Sequence, residues 1–75
     1  MYKVAQRIRD LREDKDISQA EIAEILHTSQ TVYSRYERNV RTIPAEMIYE
    51  LCLYYNVTAD YIFGFTDKPK PLPRD

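Results

Sequence analysis

Seventy-five residues with a formal charge of −1 make one domain at most, near the lower size at which an apolar core holds a fold without staples. A single cysteine, Cys52, excludes an internal disulfide, and no Cys/His cluster has zinc-ligand spacing, so stability is expected from packed helices in a reducing, cytoplasmic setting. No apolar run approaches ~18 residues and the start MYKVAQRIRD is charged, which indicates neither membrane insertion nor secretion.

Val4, Ile8 and Leu11 recur at helical spacing among good helix formers, predicting a first amphipathic helix over about 3–14 that stops near Lys15 and Asp16. Ser18 with Glu21 three residues later has the form of a capping box and opens a second helix, about 18–26, carrying Ile22, Ala23, Ile25 and Leu26. Ser29 is an N-cap for a third helix, 30–37. Only His27, Thr28 and Ser29 separate the two, and so short a connection forces a steep crossing, the pattern of a helix-turn-helix.

Pro44, favoured at a first helical position, opens a fourth helix over 44–55. Its inner stripe is Ile48, Leu51, Cys52 and Tyr55, and Asn56 suits a left-handed cap. Thr58 caps a short fifth helix, 58–63, which Gly64 ends. From Phe65 onward Pro69, Pro71 and Pro73 bar helix and central strand, so residues 65–75 are expected as an extended, solvated tail beyond a domain of residues 1–64. No alternation is long enough for a sheet, and the fold class is all-α, five compact helices.

On the third helix, at roughly 100° per residue, Val32, Tyr33 and Tyr36 share one arc while Gln30, Thr31, Ser34, Arg35 and Arg38 share the other. Charge is also unevenly spread. Arg35, Glu37, Arg38 and Arg41 make residues 29–42 net positive, whereas Glu46, Glu50 and Asp60 make residues 43–64 net negative. Such polarity can orient a small protein on DNA, and it is equally what an ordinary solvated surface of mixed sign shows.

The run SQAEIAEILHTSQTVYSRYERN followed by YYNVTADYIFG resembles the lambda-repressor-like helix-turn-helix family, the Cro/CI or XRE type regulators, over about residues 4–64. The resemblance implies that the third helix enters the major groove of double-stranded DNA and that a homodimer places two such helices about 34 Å apart. Gln30, Thr31 and Arg35 are then base readers, with Ser34 at the edge. The chemistry agrees, since Gln pairs bidentately with adenine, Arg with guanine, and Thr offers a hydroxyl and a methyl. Val32, on the boundary of the arcs, faces the core or a thymine methyl, with core packing favoured.

Gln19 resembles the family's phosphate-contacting glutamine, and Ser18 shares that position at the start of the second helix. Arg38, Asn39 and Arg41 flank the groove as backbone clamps or stand as solvated side chains. Arg12 and Glu37 match positions that form an inner salt bridge in similar proteins.

Three positions depart from the family pattern. His27 stands where the tight turn usually carries glycine, so a histidine is expected at positive φ. Tyr33 occupies a position that is usually aliphatic, and its hydroxyl must reach a partner or the surface. Leu53 and Tyr54 lie off the inner stripe of the fourth helix, and with Tyr49 and Phe65 they form a candidate homodimer surface, against the simpler reading of scattered aromatics or a tail folded over them.

An enzyme is disfavoured, because one His, one Cys and one Gly with no phosphate loop and no paired carboxylates assemble no reaction. No cofactor, metal or small-molecule ligand is expected. The rival to a DNA-binding regulator, most simply a repressor, is a protein-interaction module of antitoxin or adaptor type that uses the fourth helix and the tail.

Overall fold

The helix ends are set by side chains that satisfy free backbone groups. In the computed structural model, which describes residues 3–73, five helices follow in order: α1 Val4–Asp14, α2 Gln19–Ile25, α3 Gln30–Glu37, α4 Ala45–Tyr55 and α5 Ala59–Phe63. Ser18 and Glu21 complete a capping box on α2, Ser29 Oγ accepts from the Val32 amide, and Thr58 Oγ1 accepts from the Tyr61 amide. Pro44 is the N-cap of α4 rather than its first residue, with ψ 150° and its carbonyl accepting from Met47 and Ile48.

Beyond each helix the chain reverses through one residue in the left-handed region: Asp16, His27, Asn39, Asn56 and Gly64, with φ between 54° and 86°. Asp and Asn tolerate this region better than other side chains, and glycine pays no Cβ penalty there. His27 at φ 58° meets the expectation from the turn; Asp16 and Asn39 join it unannounced.

Ile8, Ile22, Tyr33, Leu51 and Ile62 are the largest fully buried side chains among the described residues, one from each helix, so a single core ties all five together. Val32 packs against that core half-buried, while Ile25 turns to solvent. The Tyr33 hydroxyl does not reach a hydrogen-bond partner or the surface: it is buried near the Glu37 carboxylate but outside hydrogen-bond geometry, and burial pushes its pKa above the ordinary value. The Tyr55 hydroxyl is likewise buried and unpaired.

Two expectations for the outer surface need correction. Tyr54 is half-buried against the core, edge-on to Tyr55 at 5.0 Å with Lys15 Nζ 5.2 Å from its ring, so it is a packing residue rather than an open contact. The tail is extended but not simply solvated. Its start is held by Arg7, whose Nη2 donates to Asp67 Oδ1 at 2.9 Å and Nη1 to the Thr66 carbonyl at 3.3 Å. Near its end the Leu72 amide donates to Asn56 Oδ1 at 3.1 Å and the Leu72 side chain packs on the core.

His27 is exposed and bears a Cβ in a conformation that disfavours one. His27→Gly is therefore expected to stabilise the domain by about 0.5–1 kcal/mol despite the entropy of glycine, a rise of about 3–6 °C in thermal midpoint by calorimetry. An unchanged or lower midpoint would show that the histidine is unstrained.

Candidate nucleic-acid interface

The inner arc of α3 is fixed by packing, and this decides where its outer arc points. Tyr33, Tyr36 and Glu37 are buried, whereas Gln30, Thr31, Arg35 and Arg38 are exposed and Ser34 is half-buried. Gln30, Thr31, Ser34 and Arg38 meet Gln19 of α2 around a polar surface depression of about 270 Å³ that no acidic side chain lines. Arg35 is exposed on the same arc, one turn beyond Thr31.

The remaining predicted backbone contacts are less gathered. Ser18 Oγ is engaged as an acceptor in the α2 capping box, which leaves its hydroxyl hydrogen to donate outward. Asn39 and Arg41 lie beside a different, largely apolar cleft of about 270 Å³ that also includes Tyr36, Ile43 and Ile48. The loop carrying them is held to α3, because the amides of Val40 and Arg41 both donate to the Arg35 carbonyl, at 2.9 and 3.3 Å.

Gln19, which lines the depression, also reaches the Glu37 carboxylate, whose side chain is fully shielded from solvent. Arg12 of α1 grips it bidentately, Nε to Oε2 at 2.7 Å and Nη2 to Oε1 at 3.1 Å, while Arg12 Nη1 donates to the Ile17 carbonyl at 2.9 Å in the α1–α2 turn. Gln19 Nε2 donates to Glu37 Oε1 at 3.1 Å, and Arg9 Nε stands 3.7 Å from that same oxygen. Burial alone would raise the Glu37 pKa, but the hydrogen bonds from Arg12 and Gln19 outweigh it and hold the carboxyl below the usual glutamate range. The inner salt bridge expected between Arg12 and Glu37 is thus in place, and it is wider than a pair.

Sequence reading passed over Arg7 and Arg9. Arg7 falls on the Val4, Ile8, Leu11 stripe, three residues after Val4 and four before Leu11, and that register was the available signal for its burial. Its guanidinium lies 4.3 Å from the centre of the Tyr61 ring and serves the fold rather than the interface.

A separate apolar groove of about 380 Å³ runs between α4 and α5, with Ile48, Tyr49, Cys52, Leu53, Phe63 and Leu72 among its walls. Tyr49 and Leu53 are exposed in its walls, at 63% and 51%, and Phe65, 76% exposed, stands 6.2 Å from the Phe63 ring that lines it. Burial pushes the Cys52 thiol up, which makes it a packing residue rather than a reactive one.

A short α2, a three-residue turn and an α3 with a polar outer arc are the parts of a helix-turn-helix, and the family model described as Helix-turn-helix matches residues 8–62. The chain belongs to that family. Its type is that of the Cro/CI or XRE regulators, which are DNA-binding transcriptional regulators and not enzymes.

This helix-turn-helix chain is 33% identical over 66 residues to the uncharacterized HTH-type transcriptional regulator YobD of Bacillus subtilis, covering 88% of itself and 59% of that protein. It is 31% identical over 72 residues to the HTH-type transcriptional regulator ImmR of the same organism, with coverage of 96% and 57%. Antitoxin PezA of Streptococcus pneumoniae is 33% identical over 61 residues, covering 81% of this chain and 39% of that protein. The chain thus spans from about two-fifths to three-fifths of these relatives. A crystal structure of a transcriptional regulator from Listeria innocua superposes with a TM-score of 0.83 at 17% identity, over 100% of this chain and 67% of that one, and shows the same fold. Among the described residues no helix is long and apolar enough to cross a membrane.

Removing the Glu37 carboxylate strands Arg12 and Gln19 in a partly buried site, so Glu37→Ala is expected to cost about 3–5 kcal/mol and to unfold much of the population near 37 °C. Circular dichroism melting checks this, and an unchanged midpoint would refute it. Because the folded pKa of Glu37 is depressed, its contribution is fully present above the unfolded value, 4.5, and is lost as pH falls through the folded value. Acid titration of the thermal midpoint should show that loss below about pH 4.5, as expected for linkage.

Proposed function

We propose that this chain is the sequence-specific, double-stranded-DNA-reading part of a transcriptional regulator, with α3 lying in the major groove and α2 across the phosphate backbone. The observation that carries this reading is the shared polar surface of Gln19, Gln30, Thr31, Ser34 and Arg38, free of acidic side chains and placed on a helix whose other arc is locked in the core. Gln30 and Arg35 have the donor and acceptor patterns that match adenine and guanine edges, and Thr31 and Ser34 supply hydroxyls between them. Ser18, Gln19, Arg38, Asn39 and Arg41 hold phosphates, which sets register without reading sequence.

The regulator acts as a homodimer on its operator, with the α4–α5 groove, its exposed Tyr49 and Leu53, and the neighbouring exposed Phe65 as the self-complementary surface, while Tyr54 packs half-buried against the core. Occlusion of a promoter, hence repression, is the simplest consequence of such binding. A protein partner for the groove is the second reading. It is favoured by the groove's apolar walls and by the similarity to a protein named as an antitoxin.

Selection of a randomised duplex pool by the purified chain at about 150 mM salt tests the proposal, because nonspecific contacts are suppressed there. Two enriched half-sites with centres about 10 bp apart are expected. A single half-site would remove the dimer, and an unenriched pool would overturn DNA reading in favour of the protein partner. On the recovered duplex, Arg35→Ala should cost about 1–3 kcal/mol at one base position and relax preference there, whereas Arg41→Ala should weaken binding evenly.

A further inference from the structure

We infer that Arg9 of α1 and Gln19 of α2 form a two-donor clip for a single DNA phosphate, with the buried Glu37 carboxylate as the group that positions both. This rests on the DNA-reading role proposed above and adds a third helix to the interface. Both side chains converge on one atom, Glu37 Oε1: Gln19 Nε2 at 3.1 Å and Arg9 Nε at 3.7 Å. The two nitrogens therefore stand no farther apart than the sum of those distances. One phosphate, whose oxygens accept hydrogen bonds at about 2.9 Å from each donor, can span that separation.

The state of each partner supports the assignment. Arg12 already matches the Glu37 charge with two short hydrogen bonds, so the carboxylate does not require Arg9. The Arg9 contact is longer than a hydrogen bond, and its side chain is 42% exposed. The contact is made through Nε, and with the side chain partly exposed the outer nitrogens of the guanidinium remain to meet an anion arriving from solvent. Gln19 Nε2 uses one of its two hydrogens on Glu37, so the second remains to donate. Gln19 also borders the depression formed by Gln30, Thr31, Ser34 and Arg38, which places the clip at the edge of the base-reading arc rather than on an unrelated face.

Glu37 is accordingly a positioning residue. It holds Gln19 in one rotamer before DNA arrives and keeps Arg9 nearby without consuming its charge. The clip also adds Arg9 to the exposed cations Arg35 and Arg38 that serve the interface.

The test measures fluorescence anisotropy of the duplex recovered from the randomised pool, titrated with wild type, Arg9→Ala, Gln19→Ala and the double variant over a range of salt. Arg9→Ala should keep the domain folded by circular dichroism melting, because Arg12 and Gln19 still donate to the Glu37 carboxylate in its absence. It should bind about five- to tenfold more weakly at 150 mM salt, lower the slope of log K against log salt by about 0.9, and leave base preference intact. Since both donors serve one phosphate, the double variant should lose less than the product of the two single losses. Wild-type affinity and slope in Arg9→Ala, alongside altered preference in Arg35→Ala, would overturn the clip while DNA reading stands. Independent, fully multiplicative losses would place Arg9 and Gln19 on different phosphates and overturn it as well. A pool that wild type fails to enrich would overturn DNA reading itself, and the clip with it.

Discussion

A carboxylate removed from water must have its charge answered, and in this fold that requirement falls on Glu37 at the end of α3. Its two oxygens are answered by Arg12 from α1 and Gln19 from α2, and Arg12 reaches on to the Ile17 carbonyl in the intervening turn. Three helices and one turn are thus referenced to a single side chain. Apolar contacts are forgiving about rotation by a few degrees, whereas a bidentate guanidinium–carboxylate pair is not. The angle of α3 against α1 is therefore set by hydrogen-bond geometry, while the core of Ile8, Ile22, Tyr33, Leu51 and Ile62 supplies the cohesion. Fixing that angle also fixes the outer arc, because Glu37 and Gln30 belong to the same short helix.

The second constraint is the economy of the turns. Five helices in so short a chain leave few residues for connections, and each reversal uses one left-handed residue. With only one glycine in the chain, four of those positions carry Cβ atoms, and three of the four are Asp or Asn. Asn56 performs a second task, since its side chain also receives the amide of Leu72 and so closes the tail onto α4. Such double use keeps a small domain ordered where additional loop length would only add entropy to overcome.

Most of the helices were legible in the sequence because their signals are local. Ser18 with Glu21, Ser29 and Thr58 act within three residues of themselves, and the structure shows each of those bonds. The outer arc of α3 was legible for the same reason, since helical periodicity is a local property. What escaped depends on residues far apart in the chain. Arg7 reads as a surface cation until Thr66 and Asp67 come round to meet it, and Tyr54 reads as an exposed aromatic until Lys15 comes over its ring and the core half-buries it. Three prolines bar a helix from the tail, yet nothing in their spacing announces that Leu72 returns to the core. The site residues divide in the same way: periodicity gathers Gln30, Thr31 and Ser34, but only the folded chain brings Gln19 and Arg9 to one oxygen of Glu37.

Net charge is a poor guide to the electrostatics of this chain, because the sum hides where charges are spent. Glu37 counts as −1 in the total but is screened from solvent and matched by Arg12, so neither of the pair presents a full charge outward. Arg7 is buried against Tyr61 and tied to Asp67. What remains exposed on and after α3 is Arg35, Arg38 and Arg41, while Glu46, Glu50 and Asp60 are exposed on α4 and α5. Exposed cations on and after α3 are thus separated from the exposed acids of α4 and α5, and a separation of that kind can orient a small protein toward a charged rod. Within a Debye length of about 8 Å at physiological salt, the local cations rather than the total decide attraction, so a near-neutral chain can present a basic face.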